Sequence, residues 1–275
     1  MMELACHAWA FTDRSLEDML GTVARLGFRN VDFASGPHLD FESAAAQPGV
    51  VAQHIRSLLQ YYHLNVTDLY LMLPYINAPE PERREEQLDR FKKLLPFASA
   101  MGTPGITISP GILHKDGPDH SLARSIPALL EIVQATDDLR ISFEPHMDSA
   151  VMSPEQALLV VEAVPGLSIT LDYAHFIVQG YSLADIRPLL QHTSHIQIRQ
   201  AVKGRLQTPF DQGRIDLNAL MHDLAREDYH GGISIEYMTT VGWHGMMPVN
   251  TIRETVKTRD ALRQIRSELV TVRQR

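Results

Sequence analysis

Four stretches in the second half of the chain share one design, an alternating apolar run that delivers a polar donor at or near its end. They read Ile141-Ser142-Phe143-Glu144, Ile169-Thr170-Leu171-Asp172, His195-Ile196-Gln197-Ile198 and Ile233-Ser234-Ile235-Glu236. A single carboxylate in such a place caps a helix or joins a surface ion pair. Four oxygen donors closing successive apolar runs ask for another account, because Asp and Glu are seldom buried without a partner. Carboxylates gathered at one point repel each other and take up protons unless a cation joins them. Glu144, Asp172, Gln197 and Glu236 are therefore predicted to ligate one divalent metal ion. Cys6 is the only cysteine, so no thiolate cage is available, and Gln197 would ligate through its carbonyl oxygen. Such oxygen-rich ligation ranks Mn²⁺ or Mg²⁺ first and Co²⁺ or Zn²⁺ after them.

These donors are far apart in the chain and need a scaffold that gathers them. Short β-rich runs alternate with longer amphipathic segments along the whole sequence, the pattern of parallel βα units. Eight runs are predicted, at 4–9, 30–34, 65–71, 105–109, 140–144, 168–172, 195–199 and 232–237. Helix starts are marked by Ser15, Ser153-Pro154-Glu155 and Ser182, and Leu26-Gly27 and Val164-Pro165-Gly166 are stops. No low-complexity tract divides the chain, which predicts a single domain over residues 1–275. Eight parallel strands close into a (β/α)₈ TIM barrel whose active site lies at the C-terminal ends of the strands. A doubly wound open sheet is the alternative, but Cys6-His7-Ala8-Trp9 after the first strand lacks the glycine-rich turn that cradles a dinucleotide.

Other residues fall near the expected mouth. His175, three positions beyond Asp172, is predicted to bond a substrate oxygen or orient Glu144; as a lone histidine it would be a loop residue without a task. His7 and His146 are further candidates for substrate contact, each equally a satisfied structural histidine. His195 shares the strand face of Gln197 but sits two residues deeper, which suits a supporting hydrogen bond better than ligation. Lys203 and Arg205 follow the seventh strand and could meet a substrate carboxylate or phosphate, or form a solvated basic loop. Trp9, Phe11, Phe176, Trp243 and Met246-Met247 could line an apolar wall, cap the barrel core or form a subunit contact.

The formal net charge of −8 disfavours an electrostatic tether to nucleic acid or to an anionic membrane and leaves a small molecule as the expected partner. No run of about 18 apolar residues and no signal-like start is present, so a cytoplasmic location is expected.

The four strand ends resemble the xylose-isomerase-like TIM-barrel superfamily, which holds sugar phosphate isomerases and epimerases, hydroxypyruvate isomerase and endonuclease IV. In that group a Glu ends strand five, Asp-x-x-His ends strand six, His or Gln lies in strand seven and Glu ends strand eight; Glu144, Asp172 with His175, Gln197 and Glu236 stand at those places. The stretch His195-Ile196-Gln197-Ile198, with Gly204-Arg205 and Gly213-Arg214-Ile215-Asp216 after it, is similar to hydroxypyruvate isomerase. It departs from that enzyme by one extra residue before Gly204 and by Arg199-Gln200 in place of an Ala-Asp type pair. The second Glu that keto-sugar 3-epimerases carry after the strand-five ligand has no counterpart in Pro145-His146-Met147-Asp148.

The resemblance implies a metal-dependent isomerase or epimerase acting on a small sugar, keto-sugar or hydroxy-oxo acid. Its metal would acidify the C–H beside a carbonyl and stabilise an enediolate, with Glu144 and Glu236 moving the proton. Return to the neighbouring carbon gives isomerisation, and return to the opposite face of the same carbon gives epimerisation. A lyase expelling a β substituent from a 3-keto-glycoside is a second reading, and a non-catalytic barrel that binds a metabolite or a partner subunit is a third. The group also implies a homo-dimer or tetramer, for which the last helix, 251–269, is a contact surface.

Overall fold

A computed structural model describes residues 2–273 of the chain. Eight parallel strands, each hydrogen-bonded to the next and the last to the first, form a closed barrel. They are β1 (Glu3–His7), β2 (Asn30–Ala34), β3 (Asn65–Leu71), β4 (Gly105–Ile108), β5 (Arg140–Phe143), β6 (Leu167–Asp172), β7 (Thr193–Ile198) and β8 (Gly232–Ile235). Helices fill the connections, the longest being Pro81–Met101 and Thr251–Arg273. Among the described residues no helix is long and apolar enough to cross a membrane.

Local chemistry explains the boundaries. Ser15 accepts from Asp18 N ahead of the helix Leu16–Arg25, and Ser153 and Gln156 form a reciprocal capping box ahead of Pro154–Ala163. Ser182 does the same with Asp185. Several strands stop earlier than the sequence pattern predicts. Residues 8–11 coil into a 3₁₀ turn, whose entry His7 caps by accepting from the Trp9 amide. Pro110 and Pro145 lie two residues beyond the ends of β4 and β5, where a missing N–H halts the ladder.

Alternation along the strands divides the core in two. Ile141, Phe143, Ile169, Leu171, Ile196, Ile198, Ile233 and Ile235 are buried in a hydrophobic layer with helix residues such as Leu129, Val160 and Leu220. The intervening positions are polar and also buried: Ser142 and Glu144, Thr170 and Asp172, His195 and Gln197, Ser234 and Glu236. Hydroxyls meet one another inside the barrel there, with Thr170 Oγ1 2.8 Å from Ser142 Oγ on the adjacent β5 and 2.6 Å from Thr107 Oγ1 on β4. Closure therefore turns a polar face inward from every one of β5 to β8, and the last donor on each arrives at the mouth.

Candidate active site

Glu144 and Glu236 follow the last residues of β5 and β8, yet their amides still donate to Ile108 and Ile198 carbonyls at 2.9 and 3.0 Å. The backbone thus delivers both side chains in strand register. Asp172 ends β6 and also opens the helix Tyr173–Ile177, its Oδ1 accepting from Ala174 N at 2.8 Å. Gln197 pairs in register with Asp172 on one side and Ser234 on the other. All four side chains are buried.

A fifth charged group joins them. Arg199, just past β7, is 1 % exposed and sends Nη2 to Asp172 Oδ2 at 2.7 Å. Its Nη1 donates to the Glu236 carbonyl at 3.2 Å and lies 3.2 Å from Glu236 Oε1. Tyr70, on β3, donates its hydroxyl to Glu144 Oε2 at 2.7 Å. Sequence reasoning missed both as site residues. A signal for Arg199 existed, since His195, Gln197 and Arg199 are spaced by two and share one strand face; Tyr70 had none beyond its place near the end of a strand.

Burial pushes Glu144 well above the usual carboxylate range, and the charges of Glu236 and Asp172 push the same way, with Tyr70 and Arg199 only partly countering them. Burial lifts Asp172 to about 7 against the pull of Arg199, and lifts Glu236 as well, again against Arg199. Burial works against the charge of Arg199, but Asp172, Glu236 and Glu144 outweigh it and hold the guanidinium protonated.

His175 closes the cluster. Its Nε2 is 3.5 Å from Asp172 Oδ2 and 3.6 Å from Glu144 Oε1. Burial and then Arg199 hold the ring well below its ordinary pKa, so it is neutral. Nδ1 accepts from the Met147 amide at 3.2 Å, which places the single proton of the neutral ring on Nε2, facing the two carboxylates. The 3.3 Å approach of Arg199 Nη2 to that nitrogen is then a contact between two donors.

The residues present fit a divalent cation. Among the described His, Cys, Asp and Glu side chains, Glu144, Asp172 and His175 place donor atoms within 4.8 Å of one another, a candidate metal site. Gln197 Oε1 and Glu236 Oε2 are buried acceptors without a hydrogen-bond partner. Buried polar atoms are rarely left so, and a cation is one partner that satisfies several at once. The geometry thus brings His175, expected at substrate, beside the metal-capable carboxylates, where its Nε2 would ligate only after giving up its proton, while Glu236 stands outside that group, across the Arg199 guanidinium from Asp172.

The remaining candidates are placed as follows. His7 is buried, its Nδ1 accepting from Trp9 N at 3.2 Å and its Nε2 without a partner. His146 uses both ring nitrogens, Nδ1 donating to Met147 O at 2.7 Å and Nε2 accepting from Ser109 at 2.8 Å. That ring is spent on the loop after β5. His195 meets Asp32 on β2 at 2.6 Å, so its partner lies across the barrel rather than beside Gln197. Lys203 and Arg205 are both exposed, with Arg205 Nη1 3.6 Å from Met247 Sδ.

Aromatic residues rim the mouth: Trp9 lies tilted against Tyr70 with ring centroids 5.1 Å apart, and Trp243 lies edge-on 6.0 Å from His175. Phe11 and Phe176 are fully buried and belong to the core. Trp243 Nε1 and His244 Nε2 both contact Asp148 Oδ2, at 3.1 and 2.8 Å, and tie the loop after β8 to the loop after β5.

A family model described as xylose isomerase-like TIM barrel matches residues 20–266. No curated protein sequence matches the chain. Solved structures share its fold. One is D-psicose 3-epimerase from Clostridium cellulolyticum H10 with D-tagatose, at 15% identity and TM-score 0.77, covering 96% of this chain and 99% of that one. Another is the apo form of 3-keto-D-glucoside 4-epimerase, YcjR, from E. coli, at 16% identity and TM-score 0.73, covering 97% and 100%. The IOLI protein with a bound zinc atom is similar at 17% identity and TM-score 0.75, covering 98% of each chain.

Proposed function

The chain belongs to the xylose isomerase-like TIM barrel family, and from that premise we propose that it is a divalent-metal-dependent epimerase or isomerase of a small keto-sugar. The observation that carries this reading is the mouth of the barrel, where three buried carboxylates gather around one arginine that pairs with only two of them, Asp172 and Glu236, and buried oxygen acceptors of Gln197 and Glu236 stay unpaired. Glu144, Asp172 and Gln197 would hold the ion, with His175 beside them; Glu236, expected as a fourth ligand, faces them across the Arg199 guanidinium. When bound, that ion supplies Lewis acidity toward a carbonyl oxygen and so acidifies the adjacent C–H.

The side chains of this chain do the rest. Glu144 and Glu236 are the proton-transfer pair, each coming from a different strand and each oriented by a neighbour. Tyr70 fixes one oxygen of Glu144, and Arg199 contacts Oε1 of Glu236 while Oε2 stays free to exchange a proton. His175 offers its Nε2 proton toward Glu144 and Asp172. Trp9 and Trp243 supply apolar walls that limit water at the mouth. The structural neighbours support a keto-sugar, since their names specify D-psicose, D-tagatose and a 3-keto-D-glucoside.

The test is isotope exchange. Manganese-loaded protein incubated in D₂O with ketopentoses, ketohexoses and 3-keto-glucosides should place deuterium at the carbon beside the carbonyl of its substrate. Binding of a ketose without label in any candidate would remove proton transfer from the account.

One observation favours a second reading, elimination from a 3-keto-glycoside. Asp148, the first acid after Glu144, is held by Trp243 and His244 instead of standing free to meet a sugar hydroxyl as a 3-epimerase requires. Release of an aglycone from a 3-keto-glycoside, without interconversion of free sugars, would assign the lyase.

A further inference from the structure

Arg199 reaches the site by strand periodicity, two residues beyond Gln197, which is itself two beyond His195. Its fork spans Asp172 and Glu236, the acids that end the strands on either side of its own. Taking a guanidinium out of water is costly unless carboxylates compensate it with good geometry, and here two do. The same guanidinium stands between Asp172 and Glu236, and Glu236 is absent from the group of acidic and imidazole donors that lie within 4.8 Å of one another. Once all three carboxylates are ionised, they and one guanidinium leave two negative charges uncompensated, the charge that a divalent ion supplies.

We infer that Arg199 is a resident counter-cation that keeps Asp172 and Glu236 assembled in the mouth and, by repelling a second cation, sets how tightly the metal is held. The inference rests on the metal reading of the site. With Arg199 in place, a divalent ion meets ionised acids carrying two net negative charges instead of three, and it does so beside a fixed positive charge among buried side chains, where repulsion is weakly screened. The arrangement also keeps the mouth intact when the metal leaves, because Asp172 and Glu236 retain a partner. Arg199 is thus a positioning residue whose loss should tighten metal binding, opposite to the effect of losing a ligand.

The experiment is calorimetric titration of Mn²⁺ into metal-stripped wild type, Arg199→Gln and Arg199→Lys, with melting temperatures measured in parallel. Glutamine keeps hydrogen-bond donors and drops the charge; lysine keeps the charge and loses the fork. Arg199→Gln should bind Mn²⁺ at least about tenfold tighter than wild type, and Arg199→Lys should stay within about threefold of it. The metal-free Arg199→Gln protein should melt lower than wild type and recover on addition of Mn²⁺. Equal or weaker binding by Arg199→Gln overturns the inference, as does equal tightening in both variants. If Arg199→Gln does not fold even with Mn²⁺, Arg199→Lys decides: an affinity within about threefold of wild type supports the charge as the determinant, and a larger change overturns it. Absence of Mn²⁺ binding by the wild type itself would instead remove the metal reading.

Discussion

Two layers of buried charge share the inside of this barrel and differ in how they are balanced. In the lower layer each acid has its own base: Asp32 pairs with His195 at 2.6 Å, and Asp68 meets Arg140 and Thr107. Burial opposes charge on both members of the first pair, but their mutual attraction prevails, holding Asp32 below and His195 above their ordinary pKa values. In the upper layer Glu144, Asp172 and Glu236 have one charged base among them, Arg199, which pairs with the last two only, and all three carboxylates are pushed above their usual range. Both layers are charged, and the acids of both are buried. Imbalance, not polarity, distinguishes a place built to receive something from a place built to hold the fold.

Substitutions can break that comparison. Glu236→Gln, at the mouth, should lower kcat by roughly a thousandfold while leaving most of the metal bound, and Asp172→Asn should lose the metal itself. Steady-state rates with metal analysis of the purified variants check this, and equal metal loss in both would merge the two roles. Asp32→Asn, in the lower layer, should cost about 3–5 kcal/mol in denaturant unfolding, because it leaves His195 buried without its partner, and should leave Mn²⁺ affinity of the folded protein unchanged. A metal affinity that collapses as in Asp172→Asn would show the two layers to be one unit.

Smaller effects sharpen the picture at the mouth. Tyr70→Phe removes a hydrogen bond to a carboxylate, and kcat should fall about tenfold with metal affinity preserved. Wild-type rates in that variant would mean that Glu144 is oriented by the metal alone. Asp148→Ala frees the Trp243 and His244 contacts and should raise KM about threefold at constant kcat, the mark of a wall that binds substrate and transition state alike. A drop in kcat instead would place that loop in the chemistry.

The alternating apolar pattern made the closed barrel legible, along with the helix starts at Ser15, Ser153 and Ser182. Outward isoleucines, leucines and Phe143 needed helices over them, and eight such strands in one undivided chain close on themselves. The same pattern placed Glu144, Asp172, Gln197 and Glu236 at the ends of neighbouring strands. It was followed one step too short on β7, where Arg199 continues the face of His195 and Gln197. Tyr70 was illegible for a different reason, since an aromatic residue on a buried strand is ordinary core until Glu144 is seen 2.7 Å from its hydroxyl.

Residue type and spacing alone determined which donors this protein carries to the mouth, because a strand repeats every two residues and a parallel barrel offers its last inward positions there. Tertiary structure alone decided who meets whom: His195 with Asp32 across 163 positions of chain, Arg199 between Asp172 and Glu236, and the His175 proton turned toward carboxylates by the Met147 amide. The physical reason is that local backbone geometry fixes the face on which a side chain emerges. The partner opposite depends on closure and stagger of the whole sheet, which no local pattern encodes.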